Sequence, residues 1–188
     1  SLDEEHISYE EFGGVKPNPR LSFAREGVEK AIVFGAELIL AVGGGSAIDT
    51  AKGIAIGAAN PGTDIWEFWK NKKELKTALP VGTVLTISAA GSEMSNSAVL
   101  TDEETQDKSG IGSDLIRPKF AIMNPKLTYT IPKYQLTCGI VDIFMHTIER
   151  YFTPVHGNEL TDEIAEGLMR TLIRNAAKAY ENQEDYDA

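Results

Sequence analysis

The chain predicts an α/β fold with a parallel sheet, followed by a segment that is helical throughout. Three observations carry this. Glu37-Leu38-Ile39-Leu40-Ala41-Val42 is a continuous apolar run of strand length, ended by Gly43-Gly44-Gly45-Ser46. Further strand-like runs stand at 81–87 and 120–123, with helical or hairpin patterns between them. From about Pro132 onward only helical spacing recurs. An unbroken apolar run, as opposed to an alternating one, is what a central parallel strand covered on both faces requires.

Taken in order, Phe12-Gly13-Gly14-Val15 is a short strand candidate, and Lys16-Pro17-Asn18-Pro19 forces an extended turn because residues before proline avoid the helical region. Arg20 to Ala36 has helical spacing and leads into the strand ending at Val42. Ala47 to Ala59 reads as a helix rich in Ala and Ile, stopped by Asn60-Pro61-Gly62. Trp66, Phe68 and Trp69 form a short aromatic segment that fits core packing better than a ligand surface. A charged loop, Lys70 to Lys76, precedes the strand Val81 to Ile87. Val99-Leu100, a polar turn over Asp102 to Asp107, and Lys108 to Gly112 predict a hairpin. Phe120 to Met123 is a last strand, closed by Asn124-Pro125. Two helices follow, one to Phe152 and one from Asn158 to about Tyr180, and the acidic tail from Glu181 is expected to fray.

Composition narrows the function. The 188 residues are 42% hydrophobic, enough for one full core and part of a second. A formal net charge of −10, from 28 acidic and 18 basic residues, disfavours nucleic acid or an anionic membrane as partner and leaves a small molecule as the default ligand. Cys138 is the only cysteine, which rules out an internal disulfide, and no apolar run reaches the roughly 18 residues of a membrane span. The expected compartment is the cytoplasm.

Two segments carry chemistry. Strand, three glycines, serine, helix brings the backbone close to an anion, where a helix N-terminus offers free N–H groups and a positive dipole end. A pyrophosphate fits such a turn, and so does an ordinary cap at Ser46. The spacing is neither G-x-G-x-x-G, since Ile48 stands at the last glycine, nor a P-loop. Asp49 lies one turn into the following helix, and Lys52 reads as a solvated surface charge. The second segment is Ile140-Val141-Asp142-Ile143-Phe144-Met145-His146-Thr147-Ile148-Glu149. Asp142 and His146, at i and i+4, share a helix face, and the apolar residues around them predict a buried helix. A buried carboxylate needs a partner, either a divalent metal shared with His146 or a plain Asp–His hydrogen bond. Cys138, one turn earlier, reads as a small core residue.

The motifs together resemble the iron-containing (group III) alcohol dehydrogenase family, most closely its butanol dehydrogenase branch. The resemblance rests on Phe-Gly-Gly-Val-Lys-Pro-Asn-Pro at 12–19, Ala-Val-Gly-Gly-Gly-Ser-Ala-Ile-Asp-Thr-Ala-Lys at 41–52, Gly-Ser-Glu at 91–93, the Thr-Asp-Glu-Glu turn at 101–104 with Lys108 after it, and Gly-Ile-Val-Asp-Ile-Phe-Met-His-Thr-Ile-Glu at 139–149. It implies a Rossmann-like NAD(P)-binding α/β domain, partial here over 1–126, and the first helices of a metal-binding helical domain over 127–188, together a dehydroquinate synthase-like fold. By position it implies cofactor contacts at Gly44, Gly45, Ser46, Asp49, Thr86, Ser95 and Lys108. Asp142 and His146 fall on two of four ligands to Fe(II) or Zn(II), a ligand chemistry that suits both metals, and would be the catalytic metal-binding pair. The implied activity is metal-dependent, NAD- or NADP-linked interconversion of primary alcohols and aldehydes, with a homodimer as the full-length enzyme.

The sequence departs from the family pattern in two ways. Ile87 and Ala90 replace threonines of the common Thr-Thr-Ala-Gly-Thr pattern. Family members are also longer, with an earlier βαβ portion and two further histidine ligands, whereas His6 and His156 match no family ligand and are expected to be solvated. A glycerol dehydrogenase or dehydroquinate synthase type of relative, and a non-catalytic nucleotide-binding fragment, are the alternatives.

Overall fold

A computed structural model of the chain describes residues 2–154 and 157–188. Its elements run α1 (Leu21–Phe34), β1 (Ile39–Gly43), α2 (Gly45–Ala59), α3 (Ile65–Trp69), β2 (Val81–Leu85), β3 (Ser97–Asp102), β4 (Asp107–Gly112), β5 (Phe120–Ile122), α4 (Lys133–Tyr151) and α5 (Glu159–Glu181). The predicted α/β order followed by helices is the observed one. β1, β2 and β5 form a three-stranded sheet in that order, and β3 and β4 pair separately. Ile39 donates to the Pro80 carbonyl at 3.0 Å and Thr86 to that of Gly43 at 3.2 Å, so β1 and β2 run in the same direction. The hairpin is antiparallel, with Ser97 opposite Gly112 and Asp102 opposite Asp107.

The contacts divide the chain into two units. The first holds the chain up to Ala41, with Ser46–Thr83 and Ser92–Ala121, and the second holds Val42–Gly45, Val84–Gly91 and Ile122–Ala188. In the first, Leu21 and Ala24 of α1, Ile56 of α2, Ile65, Phe68 and Trp69 of α3, and Ala98 and Leu100 of β3 make one buried cluster with Ile116. The aromatic segment is therefore core, as its sequence predicts. Glycines set the spacing between α1 and α2. A Cβ on Gly27 would stand 2.4 Å from Ile54 Cδ1, and one on Gly57 2.3 Å from Val28 Cγ2. α1 stops at Gly35, whose φ of +71° places it in the left-handed region, and Ala36 donates back to the Ala31 carbonyl at 2.9 Å. Its first turn is capped from the hairpin, where the Glu103 carboxylate accepts from the backbone and hydroxyl of Ser22.

In the second unit α4 packs on α5, and Tyr151 donates to Glu166 at 2.9 Å. α4 approaches the loop after β2 so closely that a Cβ on Gly139 would lie 2.6 Å from the Ser88 carbonyl oxygen.

Four sequence expectations need correction. Residues 12–15 form no strand, since no strand among the described residues pairs with their backbone. Phe12 instead stacks on Phe23 of α1, with ring centroids 4.4 Å apart. β1 is an edge strand and is not covered on both faces: Ala41 is buried, but Leu40 and Val42 on the opposite face are exposed. α4 is not buried either; of its residues only Gly139 and Thr147 are, and Val141 and Met145 are more than half exposed. Finally, the acidic tail is anchored, Gln183 donating to the Ile131 carbonyl at 2.6 Å.

These close approaches give an expected pair of outcomes. Gly139→Ala should destabilise the chain by about 1–3 kcal/mol, because the obstructing atom is backbone and cannot rotate away. Gly167→Ala, inside α5 with open space at its Cβ, should stabilise it by about 0.5–1 kcal/mol. Urea denaturation of the two variants checks both signs.

Candidate functional site

The glycine turn is tighter than its sequence suggests. β1 ends on Gly43 and α2 begins on Gly45, so Gly44 alone joins them, and Ser46 sits just inside the helix. The backbone N–H groups of Gly45, Ser46 and Ala47 belong to the first turn, where donors have no intrahelical acceptor. They are the groups with which a helix start holds an anion. Gly44 has a packing reason as well: its Cβ would stand 2.3 Å from Ile87 Cγ2. Isoleucine at 87 thus supplies an apolar wall behind the turn, where a threonine would offer a hydroxyl. Thr86, beside it, is bound by its amide to the Gly43 carbonyl.

The remaining expected cofactor residues, Asp49, Ser95 and Lys108, lie in the first unit, and the first two flank a side chain that sequence reasoning missed. Lys52 is not a solvated charge. It is completely buried. Its Nζ donates to the carbonyls of Ser97 at 2.7 Å, Ser92 at 2.8 Å and Ser95 at 2.9 Å, and approaches Ser95 Oγ at 3.2 Å. Lysine in the middle of Thr-Ala-Lys-Gly-Ile-Ala-Ile was the signal, since a helix apolar on both sides of a charge leaves that charge no route to water. Burial pushes the ammonium down to about 8, against the pull of Asp49 and Glu93.

Asp49, three residues earlier, accepts from the Val99 amide at 3.0 Å through Oδ2. Its Oδ1 is buried without a hydrogen bond of normal geometry. Burial raises the carboxyl above the ordinary range, and the Val99 amide, Lys52 and, more weakly, the Ser92 hydroxyl oppose that rise. Ser95 is held by Lys52 and by Ser97, whose Oγ lies 3.2 Å from its own. Lys108 is exposed and donates to Asn18 Oδ1 at 3.1 Å. Asn18 holds a left-handed backbone, φ +59°, between its two prolines.

On α4, Asp142 Oδ1 and His146 Nε2 lie 3.7 Å apart, with 42% and 44% of their side chains exposed. The helix does bring the pair together. Its half-open setting removes the argument that a sealed core demands a metal. The donor set, one carboxylate oxygen and one imidazole nitrogen, is of a kind that a divalent metal would accept. No third His, Cys, Asp or Glu joins them among the described residues. Cys138 is exposed and is not the core residue its apolar surroundings suggest. His6 is exposed, as expected, and His156 lies outside the described residues.

Residues 1–125 match the family described as "Iron-containing alcohol dehydrogenase", and residues 137–188 match "Fe-containing alcohol dehydrogenase family, C-terminal". The chain belongs to the iron-containing alcohol dehydrogenase family. Among its relatives, NADH-dependent butanol dehydrogenase A of Clostridium acetobutylicum is 43% identical over 187 residues, an alignment that takes in 100% of this chain and 48% of that protein. NADPH-dependent aldehyde reductase YqhD of Escherichia coli is 40% identical over 179 residues, 94% of this chain and 46% of that protein. The crystal structure of NADH-dependent butanol dehydrogenase A from Thermotoga maritima matches with a TM-score of 0.94 at 41% identity, over 99% of this chain and 46% of that one. The chain spans about half the length of the relatives it matches. No helix among the described residues is long and apolar enough to cross a membrane.

Burial of Lys52 has a consequence for stability. A lysine whose folded value is lowered to about 8 from 10.5 carries a penalty that is complete below pH 8 and is relieved as the folded state sheds the proton first. The stability of the parent chain relative to Lys52→Met is therefore expected to rise between pH 8 and 10.5, the two values that bound the shift. Urea titrations across that range measure it; a flat or falling difference would contradict the buried ammonium.

Proposed function

We propose that the chain is the middle portion of a metal-dependent, NAD(P)-linked oxidoreductase that interconverts primary alcohols and aldehydes in the manner of a butanol dehydrogenase. The observation that carries this reading is the Asp142–His146 pair, one oxygen and one nitrogen donor on a single face of α4, in a chain of the iron-containing alcohol dehydrogenase family. Residues 1–126 are the partial cofactor domain and 127–188 the first helices of the metal-binding domain. The cytoplasm is the proposed compartment and a homodimer the proposed state of the full-length enzyme.

In this reading the first-turn amides of Gly45 and Ser46 and the close approach at Gly44 receive the pyrophosphate of NAD or NADP. Thr86, Asp49, Ser95 and Lys108 contact the rest of the dinucleotide. Lys108 reaches it from the Asn18 side chain, which fixes where the ammonium stands. Asp142 and His146 hold Fe(II) or Zn(II) by one carboxylate oxygen and one imidazole nitrogen. Bound there, such a metal would supply Lewis-acid chemistry at the substrate oxygen and a nicotinamide would supply hydride chemistry.

With two donors converging among the described residues, the 188-residue chain alone is expected to bind Fe(II) and Zn(II) weakly and to reduce butyraldehyde slowly or not at all with NADH or NADPH. Placed in a full-length relative, the equivalent of Asp142→Ala should lower metal affinity tenfold or more and abolish turnover. Calorimetric metal titration and nicotinamide absorbance are the measurements. Undiminished metal binding in that variant, or rapid turnover by the isolated chain as a monomer, would remove the pair from the metal site.

A further inference from the structure

Lys52 is the largest side chain among the described residues with no exposure to solvent, and its charge is directed at one short segment. The three carbonyls it binds belong to Ser92, Ser95 and Ser97, which lie between Gly91, at φ +77°, and the start of β3 at Ser97. An ammonium has three N–H groups, which here face the three carbonyls, with the Ser95 hydroxyl sharing one of them at the longer distance of 3.2 Å. Three residues back along α2, Asp49 takes the Val99 amide. The helix thus grips residues 92–99 at both polarities, a cation on carbonyl oxygens and a carboxylate on an N–H.

A hydrophobic side chain would fill the same interior without the several kcal/mol, roughly, that desolvating a charge costs. It would not orient three carbonyls. What the ammonium adds is therefore a fixed loop conformation more than adhesion between elements. Ser95 is the residue so fixed, bound to Lys52 through both its carbonyl and its hydroxyl. The charged groups around Lys52 are Asp49 on its own helix, Glu93 in the loop and Arg117 beyond the hairpin.

We propose that Lys52 is a positioning residue for dinucleotide binding: its ammonium sets the 92–97 loop on α2 so that Ser95 and Asp49 are in place before the cofactor arrives. This rests on the dinucleotide reading above.

The test compares the 188-residue chain with its Lys52→Met and Lys52→Gln variants, the second retaining two N–H donors. Amide hydrogen exchange is followed over residues 95–99 with α5 as internal reference, and NADH and NADPH binding is titrated by nicotinamide fluorescence. Lys52→Met is expected to speed exchange in the loop at least tenfold with α5 unchanged, and to weaken cofactor binding at least tenfold. Lys52→Gln is expected to fall between it and the parent. Loop exchange unchanged in a folded Lys52→Met, or cofactor affinity within twofold of the parent despite a loosened loop, overturns the proposal. Should Lys52→Met fail to fold, Lys52→Gln decides by the same thresholds, and failure of both to fold makes the residue structural and overturns the positioning role. A parent chain that binds neither NADH nor NADPH defeats the dinucleotide reading itself, and this role with it. Normal binding by the parent and by the variants alike defeats only the role of Lys52.

Discussion

A cation with no access to water is the constraint around which the first unit is arranged. Lys52 must find acceptors for all three of its N–H groups, because a charge buried without partners costs several kcal/mol by order of magnitude. The structure supplies them from backbone carbonyls, which do not take up a proton in the ordinary pH range and cannot swing aside as an acidic side chain can. That choice fixes the path of the 92–97 loop and hence where β3 begins. β3 in turn brings Leu100 and Ala98 into the cluster shared with α1, α2 and α3.

Close approach is the complementary device, and it works through what is missing. Gly27 and Gly57 let α1 and α2 meet where any Cβ would strike Ile54 or Val28. Gly44 lets the turn after β1 lie against Ile87, and Gly139 lets α4 sit on the Ser88 carbonyl. The last two flank residues expected to contact cofactor and metal, so the same small residues that permit packing also decide where the functional groups stand. Glycine in a helix interior costs about 1 kcal/mol relative to alanine, and at Gly139 that cost is offset by an approach no other residue allows.

The surfaces left open by these arrangements are informative about energetics. Leu40 and Val42 on β1, Val141 and Met145 on α4, and Leu160 and Ile164 on α5 are apolar and exposed. On α4, Asp142 and His146 stand half open to water beside the exposed Val141 and Met145. Helices α4 and α5 pack on each other and leave apolar residues of both open to water. The polar pair therefore carries none of the desolvation that a sealed helix would have imposed.

What the sequence alone determined follows from local rules. Periodicity placed α1, α4 and α5 to within a few residues, proline and glycine marked their ends, and the polar turn between two apolar runs located the hairpin. The i, i+4 spacing put Asp142 and His146 on one face. The motif order carried the family, which the comparisons then established. What only the tertiary structure decided depends on neighbours that are distant in the chain. Lys52 and Cys138 illustrate the two directions of error: the first has a charged side chain and is sealed by a loop 40 residues away, the second lies among apolar residues and is exposed. Phe12 to Val15 looked like a strand and is not one, since a strand needs a partner and a sequence does not say who is adjacent. Burial and pairing are properties of the surroundings of a residue. They can be read from the chain only where one local pattern admits one environment.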